Sequence, residues 1–359
     1  MAEIGIMTYF AAENYGAVLQ AYALQETLRV MGHQAEFVNY RPEYIFKPYK
    51  LRCIRQKGLK QYLLGVAGHL SRIPMRKSFA RFRENLNISA PYTKAGLGQS
   101  ESAYDYFLVG SDQVWNYKVN GEDTSYFLDF VQDDSKKFCY SASIGMTDLD
   151  EVHTEKFVKY LKKFNNVSVR EASAQKLLQE RCKIRASWNL DPTLLLGEEG
   201  WMKFIEDKFP HRDYILVYQI GMSKQFVALI EEYAKKMSKK VVVIPFPRGR
   251  VAGAKYHIDA GPKEFLNYIY YADEVFTDSF HCTVFSIIFE KKFRVGIFGD
   301  KKETGSRITD LLDLCGIEGA LLDEKTQQID ETGEMIQGDR KHFEKIRAEN
   351  RLYLKELFA

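Results

Sequence analysis

The sequence predicts an α/β protein of two halves, each a parallel sheet wound with helices on both faces. Three observations carry that expectation. Short apolar runs alternate with helix-length segments, the alternation occurs twice without the sequence repeating, and 359 residues exceed what one hydrophobic core usually serves.

In the first half "IGIMTY" reads as a strand and "YGAVLQAYALQETLRVMG" as a helix closed by Gly32, with "AEFVNY" as a second strand. "YFLVGSD", "KFCYSAS" and "NNVSVRE" are three further buried strands, with helices near 151–164 and 171–181. In the second half "YILVYQI", "KVVVIPF", "EVFTD" and "FRVGIF" are strands, and residues 223–238, 262–271, 280–291 and 306–315 are their helices. Pro, Gly and charge in "DPTLLLGEEGW" and "KFPHRDY" place a linker near 192–212, and a long helix near 339–357 ends the chain. The expected domains are therefore 1–195, with a basic helical insertion at 44–90, then 210–335, then the C-terminal helix within 336–359. Two Rossmann-like domains facing a central cleft make the GT-B-like arrangement of many transferases.

Composition narrows the class. Apolar residues make up 45% and charged residues 28%, which is globular. The five cysteines are scattered with no C-x-x-C, so reduced packing residues and no metal site are expected. "MAEIGIMTYF" starts a strand pattern directly, and no run approaches a membrane span, so a cytoplasmic protein is expected. Between Tyr44 and Arg83 stand eleven Lys and Arg with no Asp or Glu, flanking the apolar "YLLGVAGHL". Such a block suits an anionic membrane surface, which would make the protein peripheral at the inner membrane face. It reads equally as a solvated basic face whose apolar run packs on its own domain. No nucleic-acid module accompanies it, so no nucleic-acid partner is expected. The first strand is not followed by G-x-G-x-x-G, which removes support for a nicotinamide or flavin cofactor.

Four loops at the C-terminal ends of strands concentrate the chemistry, where open α/β sheets bind ligands. "AAENYGAV" offers Asn14 and Gly16 for a tight turn, with Tyr15 between them, ahead of a helix N-terminus. "VGSDQVWN" crowds Ser111, Asp112, Trp115 and Asn116 beyond a strand; Asp112 can take a hydroxyl proton, and Trp115 can stack on a sugar face or lie in the core. In "SVREAS", Arg170 can fork a carboxylate or phosphate, or pair with Glu171 or another acid nearby. In "TDSFHCTVFSIIFE", Asp278 or Ser279 can cap a helix whose first turn holds His281, an imidazole placed where anions are favoured.

Together "NYGAVLQAYALQ", "VGSDQVWN", "VSVRE", "LDPTLLL", "TDSFHCTVFSIIF" and "SRITDLLDLCG" resemble, in this order, the polysaccharide pyruvyl transferase family, from about residue 3 to 320. The resemblance implies a GT-B-like fold and transfer of a pyruvyl group from phosphoenolpyruvate to a sugar of a polysaccharide or lipid-linked glycan precursor, giving a cyclic ketal. It implies that His281 is catalytic and that Arg170, Ser279 and Phe280 hold the donor, with no cofactor beyond that substrate. The family's Arg-Leu-His triplet is here Ser279-Phe280-His281; the sequence looks like an Asp-Ser-Phe-His branch. Arg307, with Ser306 in "GSRITD" at the expected start of a helix, is the candidate replacement for the missing arginine, and Cys282 looks incidental. Asn14, Tyr15, Gly16, Ser111, Trp115 and Asn116 form the expected acceptor side. A nucleotide-sugar glycosyltransferase and a non-catalytic glycan-binding protein are the alternatives.

Overall fold

The computed structural model describes residues 1–46, 66, 68, 70–221, 223–244, 250–299, 302–330 and 340–359. These divide into two compact units, one of residues 1–73, 79–196 and 347–359, the other of residues 74–78 and 197–346. The division falls at Gly197, whose φ of 66° and ψ of −176° interrupt the helix Pro192–Met202. An L-residue is strained in that conformation, so glycine sits where the chain changes units. The segment expected as a linker at 192–212 is thus helical in its first half.

The first unit is built on β1 (Glu3–Met7), β2 (Gln34–Tyr40), β3 (Ile88–Tyr92), β4 (Tyr106–Val109) and β5 (Lys137–Cys139), all parallel, in the order β3-β2-β1-β4-β5. Ala142 bridges Asp112 to Val169 and so links the sheet to the pair β6 (Ser168–Val169) and β7 (Ser187–Trp188). Strands that read as nearly unbroken apolar runs are those buried on both faces, as Ile4, Ile6, Phe107 and Leu108 are. Helix α1 (Tyr15–Val30) begins where Asn14 Oδ1 accepts from Ala17 N at 3.2 Å. It ends as the sequence predicts: Gly32 adopts φ 92°, and the amides of Gly32 and His33 return to the carbonyls of Arg29 and Leu28. Gly110 has a different reason. A Cβ there would lie 2.9 Å from Leu24 and 3.1 Å from Thr8, so β4 approaches the end of β1 closely only because position 110 is bare.

The second unit repeats the topology. Its strands β8 (Tyr214–Tyr218), β9 (Lys240–Val243), β10 (Lys255–Tyr256), β11 (Glu274–Thr277), β12 (Lys292–Gly296) and β13 (Leu321–Leu322) run parallel in the order β10-β9-β8-β11-β12-β13. In each unit the strand order reverses beside the first strand, at β1/β4 and at β8/β11, which is where such sheets open a crevice beyond their carboxyl ends.

Of the basic block, the helix α2 (Ile73–Arg83) is described; it carries Pro74 in its first turn and buries Phe79 and Phe82. Lys47, Lys50, Arg52, Arg55, Lys57, Lys60 and most of "YLLGVAGHL" lie outside the described residues.

Helix α3 (Glu151–Leu161) carries a pH-sensitive latch. Asp150 caps it through His153 N, and the His153 ring lies between Asp150 at 2.7 Å (Nδ1) and Glu122 at 2.9 Å (Nε2), stacked on Tyr117. Partial burial pulls the His153 pKa down, but the hydrogen bonds to Glu122 and Asp150 outweigh it and raise it above its ordinary value. A raised histidine pKa gives stability that is fully present below the unfolded value near 6.5 and is lost as pH climbs through the folded value. His153→Gln should therefore lose unfolding free energy relative to the parent at pH 5.5, and the gap should narrow by pH 8.5 in urea titrations. A gap independent of pH would remove the ionic role.

Candidate functional site

In the first unit the crevice at β1/β4 rests on a buried ionic cluster. Arg170, at the end of β6, donates through Nη1 to Asp191 Oδ2 at 2.8 Å and to Ser111 Oγ at 3.2 Å, and its Nε lies 3.4 Å from Glu171 Oε1. The three charged side chains are 0–2% exposed. Ser111 Oγ donates to Asp191 Oδ2 at 2.9 Å, Ser143 Oγ donates to Glu171, and Thr8 Oγ1 donates to the Ser111 carbonyl. Asp191 Oδ1 accepts from the amide and hydroxyl of Thr193, capping the helix that ends the unit. Burial opposes the guanidinium charge, yet Glu171, Asp191 and Asp112 together raise the Arg170 pKa.

Above this cluster sits Asp112. Its φ of 92° is a conformation that non-glycine residues seldom adopt, and it costs on the order of 1–3 kcal/mol. The conformation is held from several sides: Ser143 N donates to its carbonyl at 2.9 Å, and its own carboxylate accepts from Gln113 N at 2.7 Å. The side chain remains partly exposed, so one carboxylate oxygen is offered at the strand end.

The expected acceptor residues divide. Asn14 is an exposed cap, and Ser111 is buried in the ionic cluster. Trp115 is fully buried, its indole N–H donates to the Tyr126 carbonyl at 2.9 Å, and its ring stacks on Phe127. It cannot stack on a sugar; it anchors the loop to the core. Asn116 caps the short turn Tyr117–Asn120 and is buried, Tyr15 stacks against Phe79, and Gly16 lies inside α1 rather than in a turn. Arg170, expected at the donor, is buried, with Nη1 donating to Asp191 and Ser111 and Nε lying beside Glu171. Pairing of Arg170 with Glu171 was one of the readings the sequence left open, whereas Asp191 was not singled out. An arginine ending a buried strand in "VRE" and an aspartate opening a helix in "LDPT" were the available signals.

In the second unit the crevice at β8/β11 holds the histidine. Ser279 caps α4 (Phe280–Ile288), accepting from Cys282 N at 3.4 Å. Asp278, the other expected cap, instead reaches the neighbouring loop, where its carboxylate accepts from Ile220 N at 2.6 Å and Gly221 N at 2.9 Å. Thr277 Oγ1 donates to Tyr218 O and accepts from Ser279 N, so the two loops are fixed together. His281 is then the second residue of a capped helix, partly exposed, with the buried Phe280 ring edge-on at 5.2 Å. Cys282 is buried and its thiol is pushed up to about 12, so it is inert. Ser306 and Arg307 do not begin a helix: α5 runs Lys302–Leu314, starting four residues upstream of Ser306. They lie in its second turn, and Ser306 O accepts from Thr309 Oγ1.

Two parallel sheets of this order, each wound with helices, define a GT-B-type α/β protein of two Rossmann-like units. Solved structures bear out the fold. UDP-N-acetylglucosamine 2-epimerase from Rickettsia bellii matches at 7% identity over 99% of this chain and 95% of that one, with a TM-score of 0.53. MnaA of S. aureus, solved with UDP, matches at 11% identity over 99% and 97%, with a TM-score of 0.50. No curated protein matches the chain. The polysaccharide pyruvyl transferase family model matches residues 14–295. The chain belongs to that family. Among the described residues no helix is long and apolar enough to cross a membrane.

Removing one partner from a buried ion pair leaves the other uncompensated, at a cost of roughly 3–5 kcal/mol. Arg170→Ala and Asp191→Ala should each lower unfolding free energy by about that much in urea titrations. Equal stability to the parent would show that the cluster is not structural.

Proposed function

We propose that this protein transfers a pyruvyl group from phosphoenolpyruvate to two hydroxyls of a sugar in a polysaccharide or lipid-linked precursor, forming a cyclic ketal. The observation that carries it is His281, partly exposed in the first turn of a capped helix at the switch point of the second unit, in a chain of this family. A helix N-terminus favours an anionic donor. His281 delivers a proton to the methylene carbon of the enol phosphate, leaving an oxocarbenium-like centre at the neighbouring carbon. One sugar hydroxyl bonds to that carbon, inorganic phosphate departs with the C–O bond pair, and the second hydroxyl closes the ring. Each hydroxyl gives up a proton; the role we assign to Asp112 on the first unit is to accept one. Arg307 is the cation we assign to the donor phosphate.

The carrier lipid and the inner membrane face belong to the same proposal, through the 44–83 block. Its test is charge reversal at Arg76 and Lys77: undiminished binding to anionic vesicles would remove the membrane from the account.

The reaction is tested first by binding. Phosphoenolpyruvate at 100 times its dissociation constant adds about 2.7 kcal/mol of stability, enough to move the melting temperature by a few degrees. The shift should appear with phosphoenolpyruvate and not with UDP-, GDP- or CMP-sugars, and should shrink in Arg307→Ala. His281→Ala should keep most of the shift while losing about 10²–10⁴-fold in turnover. A shift with a nucleotide sugar alone would make the protein a glycosyltransferase on the same fold. Full turnover in His281→Ala would overturn the acid role.

A further inference from the structure

A cavity of about 610 Å³ opens in the second unit, and it is not the His281 crevice. It lies at the opposite edge of the sheet, where β8 and β9 begin with Tyr214 and Lys240, beneath the last turn of the helix Lys224–Lys236. Five residues of strand separate the two ends, about 16 Å at 3.3 Å per residue. Its lining holds Arg212, Lys235, Lys239, Lys240 and Lys255 against the single carboxylate of Glu231. Not all of that charge is available. Lys239 is paired with Asp273 at 2.6 Å, and Arg212 lies over the Tyr271 ring. Glu231 in turn accepts from Ala252 N at 2.6 Å. Lys235, Lys240 and Lys255 are exposed and have no carboxylate partner among the described residues. The surplus is felt inside the cavity: His211 is lowered by burial first and then by Lys255 and Arg212.

The volume is within the roughly 300–1,000 Å³ of small-ligand pockets. A membrane is a poor occupant, because the large apolar lining residues Tyr214, Val241 and Val242 are buried and, of the apolar side chains, only the small Pro210 and Ala252 are exposed. The reaction proposed above supplies a different anion, since every transfer converts a hydroxyl pair on a sugar into a ketal bearing one carboxylate. We propose that this cavity is a secondary glycan site, with Lys235, Lys240 and Lys255 holding pyruvate-ketal carboxylates of a polysaccharide segment that has already reacted. It rests on the pyruvyl-transfer reading and extends it to product.

The probes are a polysaccharide carrying pyruvate ketals and the same polymer after mild acid has stripped them. By calorimetry the protein should bind the ketal-bearing polymer at least tenfold more tightly than the stripped one, and less tightly as salt rises. Lys235→Gln/Lys240→Gln/Lys255→Gln should lose that tenfold preference while keeping its melting temperature and its response to phosphoenolpyruvate. Equal binding to both polymers overturns the site, as does a preference that survives the triple substitution. Competition by inorganic pyrophosphate at lower concentration than by the polymer's own ketal sugar would make it a phosphate site and overturn it as well. Loss of binding to phosphatidylglycerol vesicles in the triple variant, with no polymer preference in the parent, would assign the lysines to a membrane instead. Failure of the donor to bind while the polymers are still distinguished would sink the reaction and leave the glycan site standing.

Discussion

The contact on which the first unit depends is the buried pair of Arg170 and Asp191. Asp191 is shared between four groups: one oxygen takes the guanidinium and the Ser111 hydroxyl, the other takes the amide and hydroxyl of Thr193. One side chain therefore ties the end of β6, the loop after β4 and the helix that leads to Gly197. The C-terminal helix returns to the same place. Asn350 Oδ1 accepts from Leu190 N at 2.8 Å and from Asn189 Nδ2 at 3.0 Å, one and two residues before Asp191. The last segment of the chain thus braces the strand end that presents the cluster.

An apolar core of the same shape would be as stable or more so, because burying three charges costs several kcal/mol for each ion before their attraction is counted. What the cluster provides is direction. A hydrophobic contact tolerates small shifts, whereas a two-pronged guanidinium between carboxylates fixes the loop to hydrogen-bond geometry. Asp112 needs that restraint, since its backbone would otherwise leave φ 92° for a relaxed basin. Gly110 and Thr8 supply the remaining constraint by letting β4 approach β1. The strain is local, and the network beneath it is what makes the conformation single.

The period of the apolar runs made the long elements legible. Five strands of the first half and four of the second stand where alternation placed them, because each is buried on both faces and reads as a continuous run. The strands that pattern did not reveal are β3, β7, β10 and β13. "ISAPY" is half-exposed with Pro91 inside it, and proline argues for an edge, which is where β3 lies. The other three are two residues long, too short for a period to register; β6 is as short, but it lies in the longer buried run 167–171. At the site, histidine after a serine cap was readable from residue order alone, since caps act locally. The burial of Trp115 and the coupling of Arg170 to Asp191 were not, because both depend on residues far along the chain that only the fold brings near. Ser306 failed for a third reason: serine caps helices, but this helix already begins at Lys302, so the residue lies inside it.

The two units share a topology yet arrange their charges in opposite ways. In the first, the cation is consumed: Arg170 is neutralised by Asp191 and Glu171, and what reaches the surface is the Asp112 carboxylate. In the second, the carboxylate is consumed: Asp278 spends both oxygens on the amides of Ile220 and Gly221, so its charge is matched within the backbone. Among the described residues, the helix amides and the His281 imidazole stand beside it. A crevice where Asp278 is already satisfied, beside the positive end of a helix, is compatible with a dense anion; one where the partly exposed Asp112 carboxylate reaches the surface is compatible with neutral hydroxyls. In the proposed reaction the donor is assigned to the second unit and the acceptor to the first because of the charge each leaves at its switch point.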